Sequence, residues 1–163
     1  DDETCPIFNY PKINVYQSTM IRAIETAEEI KKVFDEKKVS WQLIEQSDLI
    51  AEGPPYPSEP PISKWCAEHE YFEESARIEA GFRKFIHRAD ENLSEETNDV
   101  IVCHANVIRY YVCRALQIAP EAWLRQSLCH GSITWLRVSP KGHVSIRVLG
   151  DHGFQPIEKV SRR

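Results

Sequence analysis

The chain has 163 residues, 42% of them hydrophobic and 28% charged, and its formal net charge is −5 at pH 7. This length predicts a single domain spanning residues 1–163, and the composition is typical of a globular protein. An acidic chain lacks the positive electrostatic field that attracts nucleic acid, so we expect no nucleic acid partner. No apolar run approaches the ~20 residues that cross a bilayer, so we expect no membrane segment in this chain.

The first predicted elements are a short strand over residues 13–16 and a helix. The strand ends at Gln17–Ser18, and Ser18 or Thr19 is predicted to cap the helix. The helix is predicted to extend for about 17 residues, because apolar residues recur at helical spacing along one face. These are Met20, Ile24, Ala27, Ile30 and Phe34.

Arg22 lies in the first turn of that helix, away from its apolar face. A cation is mildly disfavoured near a helix N-terminus, so the simplest interpretation is a solvated arginine. The alternative is that Arg22 and the helix start bind an anion at the end of a strand, because a planar guanidinium suits phosphate oxygens.

A second strand is predicted over residues 41–44, and a proline-rich segment follows it. Residues 54–61 contain five prolines in eight positions, which excludes a helix or a central strand. The segment is either a disordered linker or a loop that packs on the domain through Tyr56, Ile62 and Trp65. Glu52 is the carboxylate at the start of this loop; alone, it would be a solvated surface charge.

A strong helical stripe over residues 71–86 predicts a helix whose apolar side belongs to the core. The stripe consists of Tyr71, Phe72, Ser75, Ile78, Phe82, Phe85 and Ile86. The charged residues between these positions are predicted to form the solvated face. They are Arg77, Arg83, Lys84, Arg88 and the intervening glutamates. A polar connection is predicted over residues 90–98.

The segment over residues 100–110 carries the strongest functional signal. Val100–Val102 is a short β-branched run that predicts a buried parallel strand, and an apolar helical pattern begins at about Asn106. His104 stands between the two. Ligands of open α/β sheets bind at the carboxyl ends of the strands, and the backbone N–H groups of a helix start suit an anion. His104 is therefore a candidate anion ligand, with a structural histidine as the alternative.

The remaining elements are a short helix over residues 120–124 and a β-hairpin. Residues 132–138 and 143–149 alternate as two strands around a turn at Pro140–Gly142. No phosphate-binding glycine loop occurs, and the six histidines show no metal-ligand spacing. We therefore expect no metal and no cofactor.

Three segments together resemble the motifs of the histidine phosphatase superfamily, also called phosphoglycerate-mutase-like proteins. Ser18–Ala27 resembles a motif in which a serine precedes an Arg-Ala-x-x-Thr helix, Glu52–Gly53 resembles the acidic loop, and Cys103–Asn106 resembles the late histidine motif. The resemblance implies an α/β three-layer fold, with a mixed, mostly parallel sheet flanked by helices.

The resemblance also implies a mechanism. In this family a histidine attacks phosphorus to form a phosphohistidine, and arginines and a second histidine hold the phosphoryl oxygens. By carry-over, Arg22 is the phosphate-binding arginine and His104 the second histidine. Glu52 is the acid that protonates the leaving alcohol, and the N–H of Ala105 adds a phosphate contact. The catalytic candidates are therefore His104, Glu52 and Arg22.

Longer matches within the superfamily resemble its mitochondrial serine/threonine protein phosphatases. They include Glu52–Pro55, Ala76–Ala80, Phe85–Asp90, Cys103–Tyr110 and Cys113–Gln117. This resemblance implies phosphoprotein substrates, phosphoserine and phosphothreonine hydrolysis, and a mitochondrial location. It also implies a membrane anchor and self-assembly through amino-terminal segments. Two positions differ from the pattern: Gln17 stands where histidine is frequent, and Ala51 where arginine is frequent.

The family's first motif, Arg-His-Gly on a central strand, does not occur in these 163 residues. The chain begins at Asp1 rather than at methionine, so we expect a processed product or a fragment whose first motif and central strand lie upstream. Two alternatives stay open. The chain is a non-catalytic domain that binds phosphate through Arg22 and His104, or it belongs to an enzyme acting on small phosphorylated metabolites, such as a mutase.

Overall fold

The structure is a computed structural model, and it describes residues 12–62, 66–88, 92 and 95–161. The chain divides into two compact units. Unit 1 consists of Asp1–Ala51 and Leu93–His104, and unit 2 consists of Glu52–Asn92 and Ala105–Arg163. The expectation of a single domain stays a prediction.

Unit 1 is a parallel sheet with one long helix. Its strands are β1 (Ile13–Ser18), β2 (Trp41–Ser47) and β3 (Asn98–Val102), in the order β2-β1-β3, and its helix is α1 (Ile21–Glu36). A short 3₁₀ helix at Asp48–Ile50 follows β2. All three predicted strands are confirmed, and β3 pairs with β1 in the parallel direction, as its β-branched run predicts.

The core of unit 1 is formed by the apolar face of α1 and by β1 and β3. Ile13, Val15 and Phe34 form one buried cluster, while Ala27 packs with Val102 in another. The helical periodicity seen in the sequence is therefore the periodicity of burial, because removing apolar surface from water holds the helix on the sheet.

The predicted cap of α1 is wrong. The residue that precedes the helix is Met20, and no side chain caps the first turn. The Ser18 hydroxyl accepts from the backbone N–H of Met20, 3.3 Å away, and the Thr19 hydroxyl is bonded to the carboxylate of Asp48. Both hydroxyl groups thus have partners outside the helix.

Unit 2 contains two helices and a β-hairpin. Its helices are α2 (Glu68–Phe85) and α3 (Ala105–Ala115), with short 3₁₀ helices at Pro120–Arg125 and Ile157–Lys159. The antiparallel hairpin consists of β4 (Ile133–Val138) and β5 (Val144–Asp151). Every predicted element of this region is present. Gly142 adopts a φ of +81° in the hairpin turn, a conformation that glycine reaches without strain.

Helix α2 packs against α3 through most of the predicted stripe. Ile78 and Phe85 are buried, and the rings of Phe82 and Tyr111 meet edge to face at 5.7 Å. The prediction fails at Phe72, which is 77% exposed. At ~100° per residue, Phe72 lies about 120° around the helix from Ile78, outside the buried face.

The proline-rich loop packs on unit 2 rather than forming a disordered linker. Pro54 and Pro55 are buried, and the indole N–H of fully buried Trp123 donates to the backbone carbonyl of Tyr56, 2.9 Å away. Ile62 is 50% exposed, so its predicted packing is wrong. Trp65 and much of the predicted polar connection over residues 90–98 lie outside the described residues.

Four strands have a ladder partner on one side only within the described residues, namely β2 and β3, which flank β1, and both hairpin strands. Both β2 and β3 pair with β1, while β4 and β5 pair with each other. The expected additional central strand stays a prediction. In the same residues, no helix combines the length and the hydropathy needed to cross a membrane.

Candidate functional site

His104 lies two residues after the carboxyl end of β3, and it is buried, with 5% of its surface exposed. Its ring lies between two polar partners from the β1–α1 segment. The Nε of Arg22 donates to Nδ1 at 3.2 Å, and Nε2 lies 2.9 Å from the hydroxyl oxygen of Ser18. Arg22 thus lies in contact with His104 beyond the end of β3 within unit 1, and the binding of an anion there stays a prediction.

This pair of contacts assigns the proton on the imidazole. An arginine N–H can only donate, so Nδ1 of His104 must accept and carries no proton. The neutral ring then has its proton on Nε2 and donates to the hydroxyl oxygen of Ser18. Arg22 therefore fixes the tautomer of His104, and Ser18, which is fully buried, holds the orientation of the ring.

Parallel strands bring these residues together. Gln17 of β1 is paired with Val102 of β3, so both strands end at the same edge of the sheet. Ser18 and His104 extend from that edge, and α1 begins there. The carboxyl edge of a parallel sheet, beside a helix start, is where α/β proteins bind anions.

Arg22 has no acidic partner among the described residues. Besides His104, its guanidinium donates only to the sulfur of Met20, at 3.4 Å. The residue is exposed, while its backbone carbonyl accepts from the Thr26 hydroxyl within α1. A cation at a helix N-terminus with only neutral partners lies in a position that favours an anionic ligand.

Glu52 and Ala105 belong to unit 2, at the start of α3. The carboxylate of Glu52 accepts from the backbone N–H of Asn106, the second residue of the helix, at 3.3 Å. A negative charge is stabilised at a helix N-terminus, where the first N–H groups have no acceptor within the helix. The N–H of Ala105, the first residue of α3, is one of those groups. Within its own unit, the structure therefore places Glu52 at the helix that directly follows His104 in the chain.

A charged cluster between α2 and α3 was missed by sequence reasoning. Glu79 accepts from the Nε and the Nη2 of Arg114, each at 3.0 Å, and from the Tyr110 hydroxyl at 2.9 Å. Arg83 adds a further bond to Glu79 at 3.0 Å. The Arg114 guanidinium is the main reason that the pKa of Glu79 falls from 4.5 to about 2. Burial and the bond to Glu79 raise the pKa of Tyr110.

The predicted solvated face of α2 is therefore wrong at two positions. The side chain of Glu79 is 22% exposed and that of Arg77 is 20% exposed, while Arg83 is 75% exposed, as predicted. The only local signals were the spacings Glu74–Arg77 and Glu79–Arg83, which place opposite charges one helical turn apart. The residues that the structure describes contain no group of three or more potential metal ligands.

Three kinds of comparison relate the chain to known proteins. The sequence profile of the histidine phosphatase superfamily (branch 1) matches residues 8–151. The chain is 52% identical over 149 residues to the mitochondrial serine/threonine-protein phosphatase PGAM5 of Xenopus laevis, covering 91% of this chain and 52% of that protein. The corresponding human protein is 49% identical over 150 residues, covering 91% of this chain and 50% of that protein. The chain thus spans about half the length of these relatives.

Solved structures give the same result for the fold. A phosphoglycerate mutase from Plasmodium falciparum superposes with a TM-score of 0.61 at 30% identity, covering 95% of this chain and 80% of that one. A putative alpha-ribazole-5'-P phosphatase from Escherichia coli superposes with a TM-score of 0.60 at 18% identity, covering 85% and 73%. The profile match covers most of the chain, and the predicted α/β fold with its parallel sheet and flanking helices is confirmed. The chain belongs to the histidine phosphatase superfamily.

Proposed function

We propose that this chain is part of a protein phosphatase that hydrolyses phosphoserine and phosphothreonine through a phosphohistidine intermediate. The observation that carries the proposal is Arg22, an exposed arginine that has no acidic partner in the described part of the chain and is bonded to buried His104 at the carboxyl edge of a parallel sheet. The names of the similar mitochondrial phosphatases support phosphoproteins as the substrate class.

Arg22 and His104 are proposed to bind the phosphoryl oxygens. A phosphoryl oxygen is a stronger acceptor than an imidazole nitrogen, so it replaces Nδ1 as the acceptor of the Arg22 Nε–H. The nitrogen that is released can then take up a proton and donate to a second oxygen. The two side chains thereby supply charge-assisted bonds where negative charge is spread in the transition state.

Glu52 is the proposed acid and the N–H of Ala105 a further phosphate contact. In the first step a histidine nitrogen bonds to phosphorus, the bond from phosphorus to the serine or threonine oxygen breaks, and protonated Glu52 gives its proton to that oxygen. In the second step water attacks phosphorus and the bond from phosphorus to the histidine nitrogen breaks, while Glu52 takes a proton from the water and orthophosphate leaves with the histidine regenerated. Dividing the reaction in this way lowers each barrier, and neither step requires a metal or a cofactor.

The nucleophilic histidine is proposed to lie outside these 163 residues. None of the six histidines stands in an Arg-His-Gly sequence, and His104 already has the role of the second histidine. Activity therefore belongs to the full-length protein. We also propose that this protein is mitochondrial, as the names of the relatives indicate, and that an amino-terminal anchor and self-assembly segments lie in the remaining part.

The test of the acid role is Glu52→Gln in the full-length protein. General acid catalysis contributes about 10²–10⁴-fold where the leaving group is poor. We expect kcat/KM to fall about 100-fold on a phosphothreonine peptide but only a few-fold on p-nitrophenyl phosphate, whose phenolate leaves without a proton. An equal loss on both substrates would contradict the acid role.

A binding domain without turnover is the second candidate, favoured by the lack of an Arg-His-Gly sequence in the chain. An assay of the full-length protein on a phosphothreonine peptide and on phosphoglycerates separates the three possibilities. Phosphate release from the peptide supports the phosphatase, turnover of phosphoglycerate alone supports a metabolite enzyme, and peptide binding without release supports the binding domain.

A further inference from the structure

The backbone of Glu52 is held by an arginine on α2. The Nη2 of Arg77 donates a hydrogen bond to the backbone carbonyl of Glu52 at 3.3 Å. The Nε of Arg77 donates to the carboxylate of Glu74 at 3.0 Å. The side chains of Arg77 and Glu74 are 20% and 33% exposed. This ion pair therefore lies against the loop that carries Glu52, rather than in solvent.

The side chain of Glu52 is held separately, at the start of α3. Its carboxylate accepts from the N–H of Asn106, and the side-chain oxygen of Asn106 accepts from the Nη1 of Arg109 at 3.1 Å. Asn106 and Arg109 are 7% and 5% exposed, and the Nε of Arg109 donates to the backbone of Gln126 at 2.8 Å. The carboxylate is thus fixed by α3 and the backbone by α2.

Gly53 lets the ion pair approach the loop. A Cβ on Gly53 would lie 2.8 Å from the Nη2 of Arg77 and 3.0 Å from the carboxyl carbon of Glu74. Both distances are too short for a carbon atom, and both atoms belong to side chains that can move away. The glycine is therefore required by the contact with the Glu74–Arg77 pair, and a methyl group there would displace the pair from the loop.

We infer that Arg77 is a positioning residue that sets the place of the Glu52 carboxylate for proton transfer. The inference rests on the proposed function, in which Glu52 is the acid. Proton transfer is sensitive to geometry, and a displacement of about 1 Å can cost about 100-fold in rate. Without Arg77, the carboxylate would keep its bond to Asn106 but lose the bond that orients its backbone.

The test compares Arg77→Met with Glu52→Gln in the full-length protein, on a phosphothreonine peptide and on p-nitrophenyl phosphate. For Arg77→Met we expect kcat to fall about tenfold on the peptide and less than threefold on the aryl ester, with KM nearly unchanged. Adding Arg77→Met to Glu52→Gln should cause no further loss, because residues that act through one group are not additive. Arg77→Lys should restore part of the rate on the peptide.

Two further variants keep the test decisive. Gly53→Ala retains both charges but displaces the pair, so it should show the same dependence on the leaving group. Arg83→Met removes an arginine of the same helix that bonds Glu79 instead, and it should leave both rates unchanged.

Equal losses on the two substrates, or a full additional loss in the double variant, would overturn the inference about Arg77. If Glu52→Gln keeps its dependence on the leaving group while Arg77→Met and Gly53→Ala lack it, the inference fails and the proposed function stands. If Glu52→Gln itself shows no such dependence, both fail.

Discussion

Arg22 of unit 1 and Arg114 of unit 2 are both helical arginines, yet their guanidinium groups have opposite surroundings. Arg114 donates two hydrogen bonds of 3.0 Å to the Glu79 carboxylate, which neutralises its charge. Arg22, among the described residues, contacts an imidazole and a thioether and no carboxylate. A cation that links two helices needs its counter-charge permanently, whereas a cation that binds a substrate anion must be available when the substrate arrives.

This comparison predicts that substitutions around the two arginines affect different properties of the protein. Changes around Arg22 should lower turnover with little effect on folding. Changes around Glu79 and Arg114 should lower stability while the folded molecules keep their activity.

The largest expected effect is that of Arg22→Ala in the full-length protein. Losing a charged donor to the transition state costs about 100-fold, so kcat/KM on a phosphothreonine peptide should fall by that order and by at least tenfold. Arg22→Lys should recover only part of the loss, since an ammonium group lacks the planar fork. Lys32→Ala, in the same helix and 64% exposed, is the matched control. An unchanged rate for Arg22→Ala would remove this residue from the site.

Glu79→Gln is expected to act on stability instead. Hydrogen bonds to charged groups contribute about 1.5–3 kcal/mol, so the free energy of unfolding at pH 7 should fall by about 2 kcal/mol. Urea denaturation measures the change. Glu29→Gln, whose ion pair with Lys32 is highly exposed, should leave the free energy of unfolding nearly unchanged.

The stabilisation by ionised Glu79 should also depend on pH, in a direction that its pKa determines. Because the pKa of Glu79 is lowered from 4.5 to about 2 in the folded protein, its contribution is complete above pH 4.5. The contribution is lost as the pH falls from 4.5 toward 2, so the difference between the parent protein and Glu79→Gln should shrink across that window. A difference that stays constant down to pH 2 would contradict the assigned ionic role.

Ser18→Ala is expected to have the smallest effect of the three. Loss of one neutral hydrogen bond to the Nε2–H of His104 costs about 1 kcal/mol, so kcat/KM should fall about fivefold. The ¹⁵N shifts of the imidazole should still show the proton on Nε2, because Arg22 continues to donate to Nδ1. The exposed hydroxyl of Ser145, changed to alanine, serves as the control. If the variant keeps the rate, Ser18 does not orient His104.

The elements and site residues that the sequence could predict are those with a local signal. The strand over residues 100–102, the helix after His104 and the apolar face of α1 follow from local periodicity, and all three are confirmed. Arg22 could be suspected because it lies in the first helical turn, where a cation without a function is disfavoured.

The missed features depend on contacts between distant residues. Glu79 and Arg114 are 35 positions apart, and Arg77 contacts a backbone carbonyl 25 positions away, so no local pattern distinguishes them from solvated charges. The error at Phe72 has a different origin. Its position in the helix is rotated away from the buried residues by a fraction of a turn, and the spacing of apolar residues in the sequence does not resolve so small a rotation. The predicted cap of α1 failed because the hydroxyl groups of Ser18 and Thr19 found other partners.

The most direct test of the central claim is to trap the intermediate. The full-length protein is mixed with a radiolabelled phosphothreonine peptide, quenched in alkali and analysed for phosphohistidine. The account predicts an acid-labile phosphohistidine on a histidine other than His104, formed about 100-fold more slowly by Arg22→Ala. A protein that binds the peptide but forms no phosphoenzyme and releases no phosphate would contradict it, and would identify a binding domain.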